Sequence, residues 1–246
     1  MSPRHHLLLL VLVALFAGCA TPRAAAPLAA GSTTPPSDDI WRGRTDLITA
    51  PPRQTSSAVR LPPLQRFRLG NGLQVLVIPD RQVPLIDVRL AVLAGGIDDP
   101  APLAGLAEFT AAMVRQGTAR MDADTLSRAV DAVGAGLGAG AGYESTTISC
   151  AGRPVTLGLC LQLVADLGFR ATFPETELQE IRDRLLSSVK ETRDDPEALA
   201  ALHFNNLLYG DEHPAGRPMT AESLVRIDGA ALRRFYRERY RPSGAV

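Results

Sequence analysis

Lysine is almost missing from this chain: Lys190 is the only one among 246 residues. Arginine carries nearly all the positive charge, a bias of composition rather than of chemistry. Lys plus Arg is 26 and Asp plus Glu is 26. The formal net charge of zero leaves no field that would draw nucleic acid or an anionic membrane surface. Histidine is scarce too. Beyond His5 and His6 the chain has only His203 and His213. There are three cysteines (Cys19, Cys150, Cys160), with no CxxC pair and no histidine at ligand spacing. Cys150 and Cys160 read as two small buried side chains, although an oxidising compartment would permit a bridge. Long apolar runs are absent: the longest, Leu7 to Phe16, is far short of the roughly 20 residues that span a bilayer as a helix. The glycines from Gly134 to Gly142 lack the GxxxxGK[ST] pattern and no helix opens directly after them, so they read as strand and turn in preference to a phosphate loop.

What is present begins with an export signal. A short basic start, the apolar run and then Ala17, Gly18, Cys19 and Ala20 describe a secretory signal peptide over residues 1–18. Phe16-Ala17-Gly18-Cys19 resembles the lipobox of bacterial lipoproteins, with Phe16 where leucine is preferred. That resemblance implies lipid attachment at Cys19 and a cell-envelope location facing the periplasm, and Ala20 after the cysteine resembles lipoproteins sorted to the outer membrane; the alternative is simple secretion with cleavage after Ala20. Residues 19–63 read as a Pro/Ala-rich linker. Eight of the chain's 19 prolines fall between Ala20 and Pro63, which favours an extended tether over a packed core. Trp41, the only tryptophan, is either solvated linker or an anchor that docks on a folded surface.

Residues 64–246 carry the patterning of a fold, and a domain of that size can bury about 70% of its unfolded surface. Gly70-Asn71-Gly72 between two β-rich runs predicts a hairpin over 65–78. Leu85 to Leu93 reads as a third strand that ends at Gly95-Gly96. Leu106, Phe109 and Met113 stand at helical spacing within Leu103 to Gln116, and Asp122 is positioned to cap a helix running to Val133. Two strands joined near Gly140 follow, and then helices over 155–170, 175–193 and 197–209. Asp194-Asp195-Pro196 separates the last two, because proline removes a donor and pushes its predecessor out of the helical region. Ala221 to Tyr240 reads as two short helices. The order predicts an α+β fold, an antiparallel β-sheet layered with α-helices.

Gly105-Leu-Ala-Glu-Phe-Thr-Ala-Ala-Met-Val-Arg-Gln-Gly-Thr118 resembles the signature of the insulinase/pitrilysin family of zinc metallopeptidases, G-L-A-H-F-L-E-H-M-x-x-x-G-T. The surroundings are similar as well. They include the hairpin from Phe67 to Val75, Ala94-Gly95-Gly96, Phe173-Pro-Glu-Thr-Glu-Leu178, the Asp194-Asp195-Pro196 break, His213-Pro-Ala-Gly-Arg-Pro218, and Tyr240 to Val246. The resemblance implies an insulinase-like half-domain over residues 64–220. Residues 221–246 would be the beginning of a following segment, truncated where the family's next strand begins.

The family uses H-x-x-E-H. Positions i, i+3 and i+4 share a helix face, so two histidines can hold one zinc while the glutamate beside the metal-bound water serves as base. In this chain the resemblance puts Glu108 and Ala112 at the histidine positions, Ala111 at the base position and Ser188 at the third ligand. Ile181 falls at a supporting carboxylate, and Gly138-Ala139 stands where an Asn-Ala segment grips substrate. Every chemical position is therefore replaced, and neither cofactor nor metal ligands are expected. Glu108 reads as a partly solvated helix residue, His203 as structural and His213 as a cap or brace. The resemblance implies a non-catalytic lipoprotein that partners a zinc-bearing homologous subunit and meets unfolded peptide. The alternatives are an active zinc endopeptidase with unconventional ligands, or a stand-alone envelope lipoprotein without peptidase connection.

Overall fold

A computed structural model describes residues 62–246. The signal peptide, Cys19, Trp41 and all but the last two residues of the linker lie outside the described residues. Strands β1 (Gln65–Arg68) and β2 (Gln74–Val77) form the expected hairpin, with Arg66 opposite Leu76. Gly72 sits at φ +90°, a conformation that only a residue without Cβ adopts freely, and its N–H donates to the Leu69 carbonyl. The Asn71 Oδ1 accepts from the Leu73 N–H at 3.2 Å and completes the turn.

A separate three-stranded antiparallel sheet has the order β3-β5-β4, from β3 (Ile86–Val92), β4 (Gly136–Ala141) and β5 (Thr146–Gly152). The strands therefore form two sheets rather than one. Residues 244–246 lie between them. The Ala91 N–H donates to the Val246 carbonyl at 2.7 Å, and the Gln74 N–H donates to the Ala245 carbonyl at 3.4 Å. The link between the sheets comes from residues some 150 positions further along the chain, so no local pattern reveals it. The β4–β5 turn also differs from expectation. It spans Gly142 to Ser145, closed by the Gly142 N–H on the Ser145 carbonyl, because Gly140 continues the ladder opposite Thr147.

Seven α-helices accompany the strands among the described residues: α1 (Leu106–Met113), α2 (Ala123–Asp131), α3 (Leu157–Phe169), α4 (Glu175–Asp194), α5 (Pro196–Tyr209), α6 (Ala221–Arg226) and α7 (Gly229–Arg239). Asp122 caps α2 by accepting from the Thr125 N–H at 2.8 Å. Asp195 accepts from Glu197 and Ala198, and Pro196 opens α5 where its missing N–H is no loss. The core joins Leu90, Val92 and Ile148 of the sheet to Val164 and Leu167 of α3, Phe109 and Met113 of α1, and Leu178, Ile181 and Leu185 of α4. Helix α3 meets β3 closely at Gly168, where a Cβ would lie 2.3 Å from the Leu90 Cδ2.

Cys150 on β5 and Cys160 on α3 are both fully buried, as expected of small apolar side chains, but they are bonded to each other. This corrects the reading of two unpaired thiols. Helix α3 packs across β5 and holds the two Cα atoms 5.3 Å apart, within the span a disulfide bridges, and a ten-residue spacing does not reveal that approach.

Candidate functional site

Helix α1 is the frame of the site, and its start is set by the backbone at Gly105. This residue has φ +95°, and a Cβ there would come within 2.6 Å of the Met219 Cγ. Asp99 holds the helix end from outside: its Oδ2 accepts from the Gly105 N–H at 2.7 Å and its Oδ1 from the Ala107 N–H at 2.8 Å. Burial pushes the Asp99 carboxyl up to about 6, against the opposing pull of the Ala107, Gly105 and Leu106 N–H groups.

A folded-state value of about 6 above the ordinary 3.8 means that folding favours the protonated form. This contribution to stability is fully present below about pH 4 and is lost as pH rises through 6. The stability difference between wild type and Asp99→Asn, read by urea unfolding, should therefore be larger at pH 4 than at pH 7.5. A difference that shrinks on acidification would mean that the three N–H groups outweigh burial.

The four positions aligned with the family's chemistry have distinct fates. Ala111 has no exposed surface and belongs to the core, and Ala112 is half-buried. Ser188 lies on α4, which packs against α1, and its Oγ donates back to the Leu185 carbonyl at 2.9 Å. Ile181, also on α4, is buried in the core. Glu108 is more than a partly solvated helix residue. Its Oε2 accepts from the Ala141 N–H at 3.1 Å and ties α1 to the edge strand β4. A contact across 33 positions needs the β4–β5 hairpin to fold back over α1, which helical spacing alone does not indicate.

Zinc does not fit this donor set. The alanines carry no donor atom, Ser188 is turned into its own helix, and one Glu108 oxygen is committed to a backbone amide. Among the described residues no three His, Cys, Asp or Glu side chains stand together as metal ligands.

A cleft of about 240 Å³ opens beside Glu108. Asp99, Glu108, Ala141, Tyr143, Arg217 and Met219 are among its lining residues. The His213-to-Pro218 loop supplies one wall. His213 braces that loop, its Nδ1 accepting from the Ala215 N–H at 3.2 Å while its ring stacks on Tyr209. His203 is exposed on α5, away from this role. Asp99 and Arg217 were not singled out from sequence. The signal available was Arg217 in the loop motif and Asp98-Asp99-Pro100 directly after Gly95-Gly96 and Ile97.

Residues 74–220 match the sequence model of the family described as Insulinase (Peptidase family M16). An uncharacterized zinc protease of Mycobacterium tuberculosis is 32% identical over 184 residues, which are 74% of this chain and 42% of the relative. An uncharacterized zinc protease of Mycobacterium leprae is 33% identical over 185 residues, again 74% of this chain and 41% of the relative. The chain thus spans less than half the length of these curated relatives. Among solved structures, a peptidase M16 inactive domain from Pseudomonas fluorescens has a TM-score of 0.64 at 28% identity, covering 70% of this chain and 42% of that one. A protease from Helicobacter pylori has a TM-score of 0.70 at 19% identity, covering 76% and 45%.

Proposed function

The chain belongs to the insulinase family, peptidase family M16, and from that premise we propose that it is a non-catalytic member which grips peptide as the metal-free partner of a zinc-bearing homologous subunit. One observation carries this reading. The frame of the signature helix persists, with Gly105, Leu106, Phe109, Met113 and Gly117 placed as the family's pattern has them, while Glu108, Ala111, Ala112 and Ser188 form no zinc site. The likeness to the inactive domain from Pseudomonas fluorescens supports the same conclusion.

The proposal extends to location. Cys19 anchors the mature protein to the cell envelope through lipid. The Cys150–Cys160 bridge favours an oxidising compartment of that kind. Several acyl chains, each contributing about 0.8 kcal/mol per buried CH₂, hold the protein durably. Cys19→Ala should release it into the soluble fraction, and retention on the membrane would count against the anchor.

Reconstitution tests the function. The purified full chain should contain no stoichiometric zinc and should leave unfolded peptides intact. Mixed with a zinc-bearing homologue it should co-elute and change that homologue's hydrolysis rate. Chelator-sensitive, stoichiometric zinc with peptide cleavage by the chain alone would falsify the non-catalytic reading. Absence of co-elution with an unchanged rate would favour a lone lipoprotein.

A further inference from the structure

The outer edge of β4 and the Glu108 cleft lie end to end, and together they define one ligand. Neighbouring residues of an antiparallel strand alternate in whether their N–H and C=O groups face the partner strand. The Gly142 N–H faces β5 and the Ala141 N–H faces Glu108, which fixes the phase. Leu137, Ala139 and Ala141 therefore turn their backbone groups away from β5. Among the described residues no strand pairs with that side. The sequence Gly-Leu-Gly-Ala-Gly-Ala leaves the edge with little side-chain bulk and no charge to repel an added strand.

The edge is closed at one end only. The Ala141 N–H already belongs to Glu108, so an incoming strand can exchange both hydrogen bonds with Ala139 but not with Ala141. An antiparallel peptide on β4 points its amino terminus toward Ala141. Its first nitrogen would arrive beside the Ala141 carbonyl and the Glu108 carboxylate, at the mouth of the cleft. Asp99, Glu108 and Arg217 are the charged groups lining that cleft, two carboxylates against one guanidinium. Arg217 is partly engaged, its Nη1 donating to the Glu212 carbonyl at 3.2 Å. A positive terminus is complementary to this end, and a carboxylate terminus, which a parallel peptide would present, is repelled.

We propose that the cleft at the Ala141 end of β4 captures the free α-ammonium group of an extended peptide, with Glu108 as the residue that reads its charge. The inference rests on the peptide-gripping reading above and adds the feature selected. A charge-assisted bond in a half-buried setting should favour the charged terminus by about tenfold.

The test uses the full chain and two unstructured peptides that lack Lys and Arg, identical except that one is N-acetylated, each with a fluorophore at its C-terminus. Fluorescence anisotropy should show the free-amine peptide binding about tenfold tighter. In Glu108→Gln, whose amide oxygen can still accept from Ala141, the ratio should fall to near one while the acetylated peptide keeps its affinity. An unchanged melting curve verifies that the variant is folded. Equal binding of both peptides by the wild type would overturn ammonium capture and leave peptide gripping intact. A ratio that persists in Glu108→Gln would remove Glu108 as the reader. Binding of neither peptide would sink the peptide-gripping reading itself, and this inference with it.

Discussion

Gly95→Ala is expected to lower the unfolding free energy by about 3 kcal/mol. Gly95 adopts extended backbone, φ −153° and ψ −164°, which any residue tolerates, so the effect comes from space rather than torsion. A Cβ at this position would stand 2.5 Å from the Tyr143 carbonyl oxygen, 2.6 Å from that of Gly142 and 2.7 Å from the Ser145 nitrogen. All three are backbone atoms that cannot rotate aside. They belong to the β4–β5 turn, which the next residues hold in place: the Gly96 N–H donates to the Gly142 carbonyl at 3.0 Å and the Ile97 N–H to that of Tyr143 at 2.9 Å. Relieving the clash means breaking those bonds and shifting a wall of the cleft. Urea unfolding measures the loss. A change under about 1 kcal/mol would show that the turn can move away at little cost.

Phe109→Ala should destabilise the protein by about 3–5 kcal/mol, through lost transfer free energy and the cavity left behind. Phe109 has no exposed surface, and its ring lies under the Arg182 guanidinium, 5.8 Å from the centroid. It fixes the rotation of α1 next to Glu108, so packing and site are coupled. Phe109→Leu, which keeps most of the volume, should recover the larger part of the loss. A loss below about 1.5 kcal/mol for the alanine variant, by urea unfolding, would mean that α1 and α4 collapse into the gap.

Local chemistry was legible wherever one short segment sufficed. Gly70-Asn71-Gly72 announced the hairpin, Asp122 its capped helix, and Asp195-Pro196 the break between α4 and α5. The spacing of Leu106, Phe109 and Met113 placed α1, and the motif frame gave the family. Burial was not legible where it depended on what a surface meets: the helix expected over 197–209 is present as α5, but it carries Phe204 and Leu207, 63% and 85% exposed, and buries none of its residues.

Sequence by itself determined the α+β class, the order of elements and the replacement of the motif's histidines and glutamate by Glu108, Ala112 and Ala111. These follow from propensity, capping and the presence or absence of donor atoms, which are properties of single residues and short spacings. Tertiary structure alone decided four things: the Cys150–Cys160 bridge, the division of the strands into two sheets, the buried cap supplied by Asp99, and the hydrogen bond between the Ala141 N–H and Glu108. Each depends on groups separated along the chain by between six and more than 150 positions. Their approach is fixed by how helices and strands pack, and a one-dimensional pattern does not encode that distance.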